Sequence, residues 1–280
     1  MKSREREISK LCNDYPDLER LGVERFSERQ RTRKQSRDMK QEMRRIERLI
    51  PFQKGKDKIL IVGCGPYPHT MKELLGLGHD VMALEVRKPF VQSAIEFLGD
   101  STRVQHGSVE EMPYDKETFK LVFMESLLEH VDSTDKALAE GFRVLEKGGV
   151  LNILTTNRLR FSLTGNNGEF NVPFYNWFPA IMKESFVFHH LHCQPKLANF
   201  SSRPAVRWFT FSGLCMLGRR AGFSKFYSSI DLEDAEDKSI RVNRIKRFLL
   251  HLIQRNPVLR SVVLVLTHFG GNIYMLKRQE

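Results

Sequence analysis

Three short clusters of residues have types and spacing that could do chemistry. The first is Gly63-Cys64-Gly65-Pro66, with Glu85 twenty residues beyond Gly65. Glycines there let the backbone turn tightly and come close to a ligand, because no Cβ blocks either. A carboxylate downstream offers paired acceptors to two adjacent hydroxyls, as on a ribose. The second cluster is Glu125-Ser126-Leu127-Leu128-Glu129-His130, whose Glu129 and His130 suit a general base. The third is His189-His190-Leu191-His192-Cys193. Adjacent histidines on an extended segment point to opposite faces, and no second ligand cluster accompanies them, so the set reads poorly as a metal site. A general base, with His190 as candidate, is the better reading there.

These residues need a scaffold, and the hydrophobic pattern supplies one. Residues 59–62 form a β-branched apolar run, as expected of a strand buried on both faces. The glycine turn follows, then a helix through Leu77 that Gly78 can end. A second strand at 80–84 leaves Glu85 at its carboxyl end. Residues 89–98 read as a helix with proline in its first turn. Further strands are expected at 102–106, 119–124 and 150–155, with a helix at 134–146 closed by Gly148-Gly149. A helix at 209–222, capped by Thr210 or Ser212, a strand at 224–232 and a last strand at 272–277 complete the pattern. Alternation at this pace predicts an α/β fold with a doubly wound, mainly parallel sheet of seven strands. Pro66 and Pro68 remove two amides that a pyrophosphate would need at a helix N-terminus. A cofactor with a ribose and no phosphate fits better, and S-adenosylmethionine meets that description.

Residues 126–153, SLLEHVDSTDKALAEGFRVLEKGGVLNI, make this specific. The segment resembles class I S-adenosylmethionine-dependent methyltransferases, in particular the small-molecule branch that includes the ubiquinone and menaquinone biosynthesis enzymes. Leu128-Glu129-His130-Val131, Arg143-Val144-Leu145 and Gly148-Gly149 carry the likeness. With the glycine turn and Glu85 it covers residues 57–156 and resumes at 208–232. It implies that Gly63, Cys64, Gly65 and Pro66 pass under the methionine part of the cofactor and that Glu85 takes both ribose hydroxyls. It further implies that Ser108 and Val109 meet the adenine, and that Glu125 and Ser126 line the floor near the reactive methyl. Three positions depart from the family pattern: Ile61 stands where an acidic residue is usual, Tyr67 where a third glycine is usual, and Ser108 where an aspartate is usual. Some members of the class hold a divalent metal with Glu-x-x-Glu-His. Here Glu125 and Glu129-His130 are one residue further apart, which on a helix turns a ligand by ~100°, so no metal is expected.

Around this core lie three additions. Residues 1–50 read as a basic helical extension, in which Met39, Met43, Ile46 and Ile50 form one apolar stripe. Packing on the domain is the simpler expectation for it, and a basic arm touching phosphate or anionic lipid the sharper one. The remaining 51–280 form the methyltransferase domain, with an aromatic-rich insertion at 156–207 placed where a substrate lid would sit. A helical insertion at 238–269 precedes the last strand, with Phe248, Leu249 and Leu252 on an apolar face and several arginines around it. An acidic run at 231–237 reads as a solvated turn. The chain of 280 residues has a formal charge of +11. Nucleic acid, an anionic membrane surface or a basic tail would each account for that charge.

Four scattered cysteines, a charged N-terminus and the lack of an apolar run of ~18 residues favour a cytoplasmic protein, with a peripheral membrane contact left open. The leading functional expectation is methyl transfer to a small organic, glycan or lipid-linked acceptor at oxygen. An RNA methyltransferase ranks below it, for want of a recognisable RNA-binding module. A non-catalytic protein that keeps the fold is the third reading.

Overall fold

The computed structural model describes residues 38–160, 207–233 and 244–278, with positions 31 and 182. Most of the aromatic insertion, including His190 and its neighbours, and most of the basic extension lie outside the described residues.

Strand β1 (Lys58–Val62) shows why a sheet forms here. Leu60 and Val62 face one core while Ile59 and Ile61 face another, all nearly fully buried, as the period of two requires. β1 lies at the centre, pairing in parallel with β2 (Asp80–Glu85) and β4 (Phe119–Glu125). Short β3 (Val104–His106) extends the sheet beyond β2, and β5 (Leu145–Leu154) extends it beyond β4. The seven strands run in the order β3-β2-β1-β4-β5-β7-β6. β7 (Asn272–Leu276) inserts antiparallel between β5 and β6 (Lys225–Ser228), so β6 is the edge strand.

Helices cover both faces. Against one pack α1 (Met39–Glu47), α2 (His69–Gly76) and α3 (Lys88–Leu98), through Met71, Leu74 and Ala94. Against the other pack α4 (Thr134–Val144) and α5 (Phe211–Ala221), through Leu138 and Leu214. Thr210 is the N-cap of α5, its hydroxyl accepting from the Gly213 amide at 3.1 Å, and Gly222 ends the helix in the left-handed region.

Three expectations need correcting. The helix before β5 ends at Val144, two residues before Glu146, because Leu145 already pairs with Phe119. Gly148-Gly149 therefore lies inside β5, at an irregularity of register, where a Cβ on Gly149 would sit 2.9 Å from the Lys120 carbonyl oxygen. β6 is also shorter than expected, since Ser228 and Asp231 form a capping box that turns the chain into a 3₁₀ helix. Asp231 is accordingly no solvated turn residue. Its Oδ2 accepts from the Ser228 amide at 2.7 Å, and both its oxygens accept from the Arg260 guanidinium at 2.5 and 2.6 Å.

The stripe on α1 is buried as a layer of the domain. Met39, Met43, Ile46 and Ile50 join the core formed by Ile59, Val81 and Phe123. Beside them the buried Glu42 accepts hydrogen bonds from the Tyr274 hydroxyl and from Arg45. Arg45 in turn donates to Glu233 at 2.8 and 2.9 Å, so the second acidic residue of the run at 231–237 is also an anchor.

Two further helices, α6 (Arg244–Arg255) and α7 (Pro257–Leu266), meet at an angle of 109°. They are tied down at three places. The Gln254 amide donates to the Ile230 and Glu233 carbonyls, Arg260 clamps Asp231, and Asn157 holds the end of α7. Asn157 Nδ2 lies 2.9, 3.0 and 2.7 Å from the carbonyl oxygens of Leu264, Val265 and Thr267. Gly270 and Gly271 allow this approach: added Cβ atoms would sit 1.9 Å from the Leu264 oxygen and 2.0 Å from the Thr155 oxygen.

Burial pulls the Asp231 carboxyl upward, but Arg260 and Ser228 outweigh it and hold it below its usual range. A depressed folded-state value stabilises the fold above the unfolded value and is lost as pH falls through the folded one. Arg260→Ala should therefore cost about 2–4 kcal/mol at neutral pH by leaving a partly buried carboxylate unpaired. The difference from the parent should shrink below about pH 4, as Asp231 takes up a proton. Urea unfolding at neutral and acid pH measures both.

Candidate cofactor and acceptor site

The carboxyl ends of β1, β2, β4 and β5 meet along one edge of the sheet, and the loops that leave them carry the candidate residues. Substrates bind at that edge in open α/β sheets. After β1 the chain turns at Gly63 and Gly65, with φ of +73° and +67°. A Cβ on Gly63 would lie 3.0 Å from Leu127 Cδ1, so the loop after β4 presses directly on this turn. Pro68 begins α2 without a side-chain cap, and Tyr67 and His69 pack edge-to-face on Phe97 at 5.6 and 5.0 Å. Tyr67, at the third-glycine position, thus joins α2 to α3.

Glu85 ends β2 and is 5% exposed. Its Oε2 accepts from the Gly65 amide at 2.9 Å and its Oε1 from the Arg87 amide at 3.0 Å. Two such bonds leave lone pairs on both oxygens for further donors. Burial pushes the Glu85 carboxyl above its ordinary value, and the amides of Gly65, Arg87 and Val86 pull it back without cancelling the rise. Cys64, beside it, is a free thiol that burial and the Glu85 charge push well above the usual thiol range. Cys64 is therefore not a nucleophile at neutral pH.

Beyond β3, Ser108 Oγ accepts from the Glu110 amide at 3.1 Å, while Val109 is buried in the core. Ile61 is buried between the strand and α1, in the core of that face.

Beyond β4, Glu125 is half-buried and Ser126 is exposed in the left-handed region, with φ of +48°. For a residue with a Cβ this is strained by about 1 kcal/mol, and such strain clusters at functional sites. The Ser126 amide donates to the Leu154 oxygen at 2.7 Å, which locks this turn to β5. The chain from 127 to 130 is a turn and not a helix, with the His130 amide bonded to the Leu127 oxygen at 2.9 Å. The helical-offset argument against a metal therefore does not apply to it. Among the described residues no group of three or more His, Cys, Asp or Glu side chains could hold a metal ion.

Glu129 is 3% exposed. Its Oε1 accepts from the Thr156 amide at 2.9 Å, while its Oε2 is buried with no partner. His130 is half-buried in the same turn. The Thr156 amide and the Leu127 side chain are parts of this edge that no sequence signal singles out. A Leu or Thr at a strand end carries no local mark of either task.

The fit to a ribose-bearing sulfonium cofactor can be judged from these groups. A buried carboxylate with spare acceptor sites at the end of β2, and a glycine turn without Cβ beside it, are the features it requires. Residues 60–153 match the family model described as a methyltransferase domain. Residues 60–153 thus carry a methyltransferase domain, and the buried carboxylate and glycine turn fit S-adenosylmethionine as its cofactor. No curated protein matches the sequence.

Among solved structures, the chain is similar to the complex between the Haloferax volcanii Trm112 methyltransferase activator and the putative methyltransferase. That likeness has 15% identity over 94% of this chain and 97% of that chain, with a TM-score of 0.52. It is also similar to a Methanosarcina mazei S-adenosylmethionine-dependent methyltransferase, at 15% identity over 82% and 96% of the two chains, with a TM-score of 0.49. A third likeness is to Haemonchus contortus phosphoethanolamine N-methyltransferase 2 in complex with phosphomonomethylethanolamine and S-adenosylhomocysteine, at 15% identity and a TM-score of 0.49. There the match covers 86% of this chain and 53% of that one, so this chain spans about half the length of that protein. At 15% identity the first of these likenesses describes the fold alone.

Glu85→Gln should weaken S-adenosylhomocysteine binding by roughly 10- to 100-fold, the worth of one or two bonds to a charged acceptor. Hydroxyl donors bind the ionised form, so the affinity of the parent should fall on acidification already above about pH 4.5, because burial raises this carboxyl. Titration calorimetry across that range tests both outcomes.

Proposed function

We propose that the chain transfers a methyl group to an oxygen of a small organic, glycan or lipid-linked acceptor, in the manner of the small-molecule branch it resembles. The observation that carries this reading is the Glu129 carboxylate. One of its oxygens is fixed by the Thr156 amide, and the other is buried without a donor at the carboxyl ends of β4 and β5. A buried carboxylate oxygen without a partner is costly, and a donor relieves that cost.

When bound, S-adenosylmethionine supplies an electrophilic methyl group on a sulfonium. Glu85, Gly63, Gly65 and the loop at 107–109 would hold and orient the cofactor. An acceptor hydroxyl must lose its proton as its oxygen gains the methyl carbon, and Glu129 Oε2 is placed to receive that proton. The Thr156 bond aims the carboxylate and keeps it from swinging away. Half-buried His130, in the same turn, is the second candidate for this task. Ser126, held in its strained conformation by Leu154, shapes the floor between cofactor and acceptor.

Glu129→Gln keeps an oxygen for the Thr156 amide but cannot take a proton. It should lower turnover by about 10²–10⁴-fold while leaving S-adenosylhomocysteine affinity unchanged. The assay is transfer of a labelled methyl group into fractionated cell extract, read by mass spectrometry. Unchanged turnover with the glutamine variant would reduce Glu129 to a structural clamp.

A further inference from the structure

The helix pair α6–α7 presents apolar surface on its outer side. On α6, Phe248 is 67% exposed, with Leu252 one turn further on also exposed. On α7, Val258 is 72% exposed, and Val262 and Val265 continue the same face at i+4 and i+7. A helix on a domain surface normally turns polar residues outward, so apolar residues on both outer faces call for a partner.

The charges around this surface say what kind of partner. Residues 244–266 contain five arginines and lysines and no aspartate or glutamate. One of the five, Arg260, is neutralised by Asp231, while Arg255 is exposed at the end of α6. Apolar side chains on helices whose own charged residues are all basic match an anionic lipid surface, where the chains enter the acyl boundary and the cations meet headgroups. A stacked nucleic acid would want aromatic and basic side chains on the face itself, and the large exposed residues of α7 are aliphatic.

Length and attachment decide between lying on a bilayer and crossing it. α6 has 12 residues and α7 has 10, so they are ~18 and ~15 Å long, against a hydrocarbon core of ~30 Å. No single helix among the described residues is long and apolar enough to cross a membrane, although the bent pair passes on length and composition together. Straightening the 109° bend would pull either α6 from its Gln254 bonds or α7 from the Arg260–Asp231 clamp and the Asn157 cap.

We propose that α6 and α7 dock this protein flat on an anionic membrane surface, with Phe248 and the outer valines of α7 inserted. The C-terminal end of α7 is bound by Asn157, three residues after β5, so docking holds the carboxyl edge of the sheet near the lipid. This goes beyond the reading of the acceptor, since docking and methyl transfer fail independently.

The test is flotation of the full chain with phosphatidylcholine vesicles, with and without phosphatidylserine. The expected result is salt-sensitive binding to the phosphatidylserine vesicles, weakened about tenfold or more by the double substitution Phe248→Glu, Val262→Glu. The variant should keep the parent's thermal unfolding and S-adenosylhomocysteine affinity, which separates lost docking from lost fold or cofactor site. Absence of vesicle binding overturns the proposal, as does binding that ignores phosphatidylserine or the double substitution. Light scattering that shows a parent dimer made monomeric by the substitution would assign the face to a second copy and overturn it as well. So would a salt-sensitive RNA shift without vesicle binding.

Discussion

The arrangement turns on a carboxylate that has to be out of water and still able to accept hydrogen bonds. Glu85 satisfies that constraint chiefly with backbone amides, from Gly65 on one oxygen and Arg87 on the other. A cation there would saturate the group and compete with a ligand, whereas single amides leave lone pairs free. The Gly65 amide is available because Gly63 and Gly65 both adopt left-handed conformations that turn the loop back over β2. The central position of β1 follows from the same need. Only a strand paired on both sides can bring this turn against Glu85 on one flank and against Leu127 on the other.

Much of this was legible because its causes are local. The β-branched run of β1, the glycines and prolines of the turn and the glutamate ending β2 all declare themselves within thirty residues. So did the Met/Ile stripe of α1, whose spacing already implies a buried face. What the sequence hid depends on partners far along the chain. Asp231 looks like part of a solvated acidic run until Arg260, 29 residues later, closes on it. Glu42 sits in a helix crowded with arginine, yet its buried partner Tyr274 lies in the last strand, 232 residues away. The shift at Gly148-Gly149 was hidden for another reason. Leu145-Glu146-Lys147 carries no helix-breaking signal, and only pairing with β4 commits it to a strand.

The site shows the same division. Residues in the turn and at the strand ends could be named because topology fixes where strand ends meet. Val109 packs in the core, and the half-buried Cys64 thiol is held above its usual range by burial and by the Glu85 charge. Glu129 was recognisable as chemistry-bearing, but only the structure distinguishes its two oxygens, one fixed and one free.

Asn157 carries a mechanical consequence. Its side-chain amide gathers the last carbonyls of α7, and the Thr155 amide bonds to the Gly271 oxygen at 2.7 Å. Thr156, between them, donates its amide to Glu129. A load on α7 is therefore carried through two residues of extended chain to the carboxylate, with no soft linker to absorb it. The helix pair is a lever whose short arm ends at Glu129.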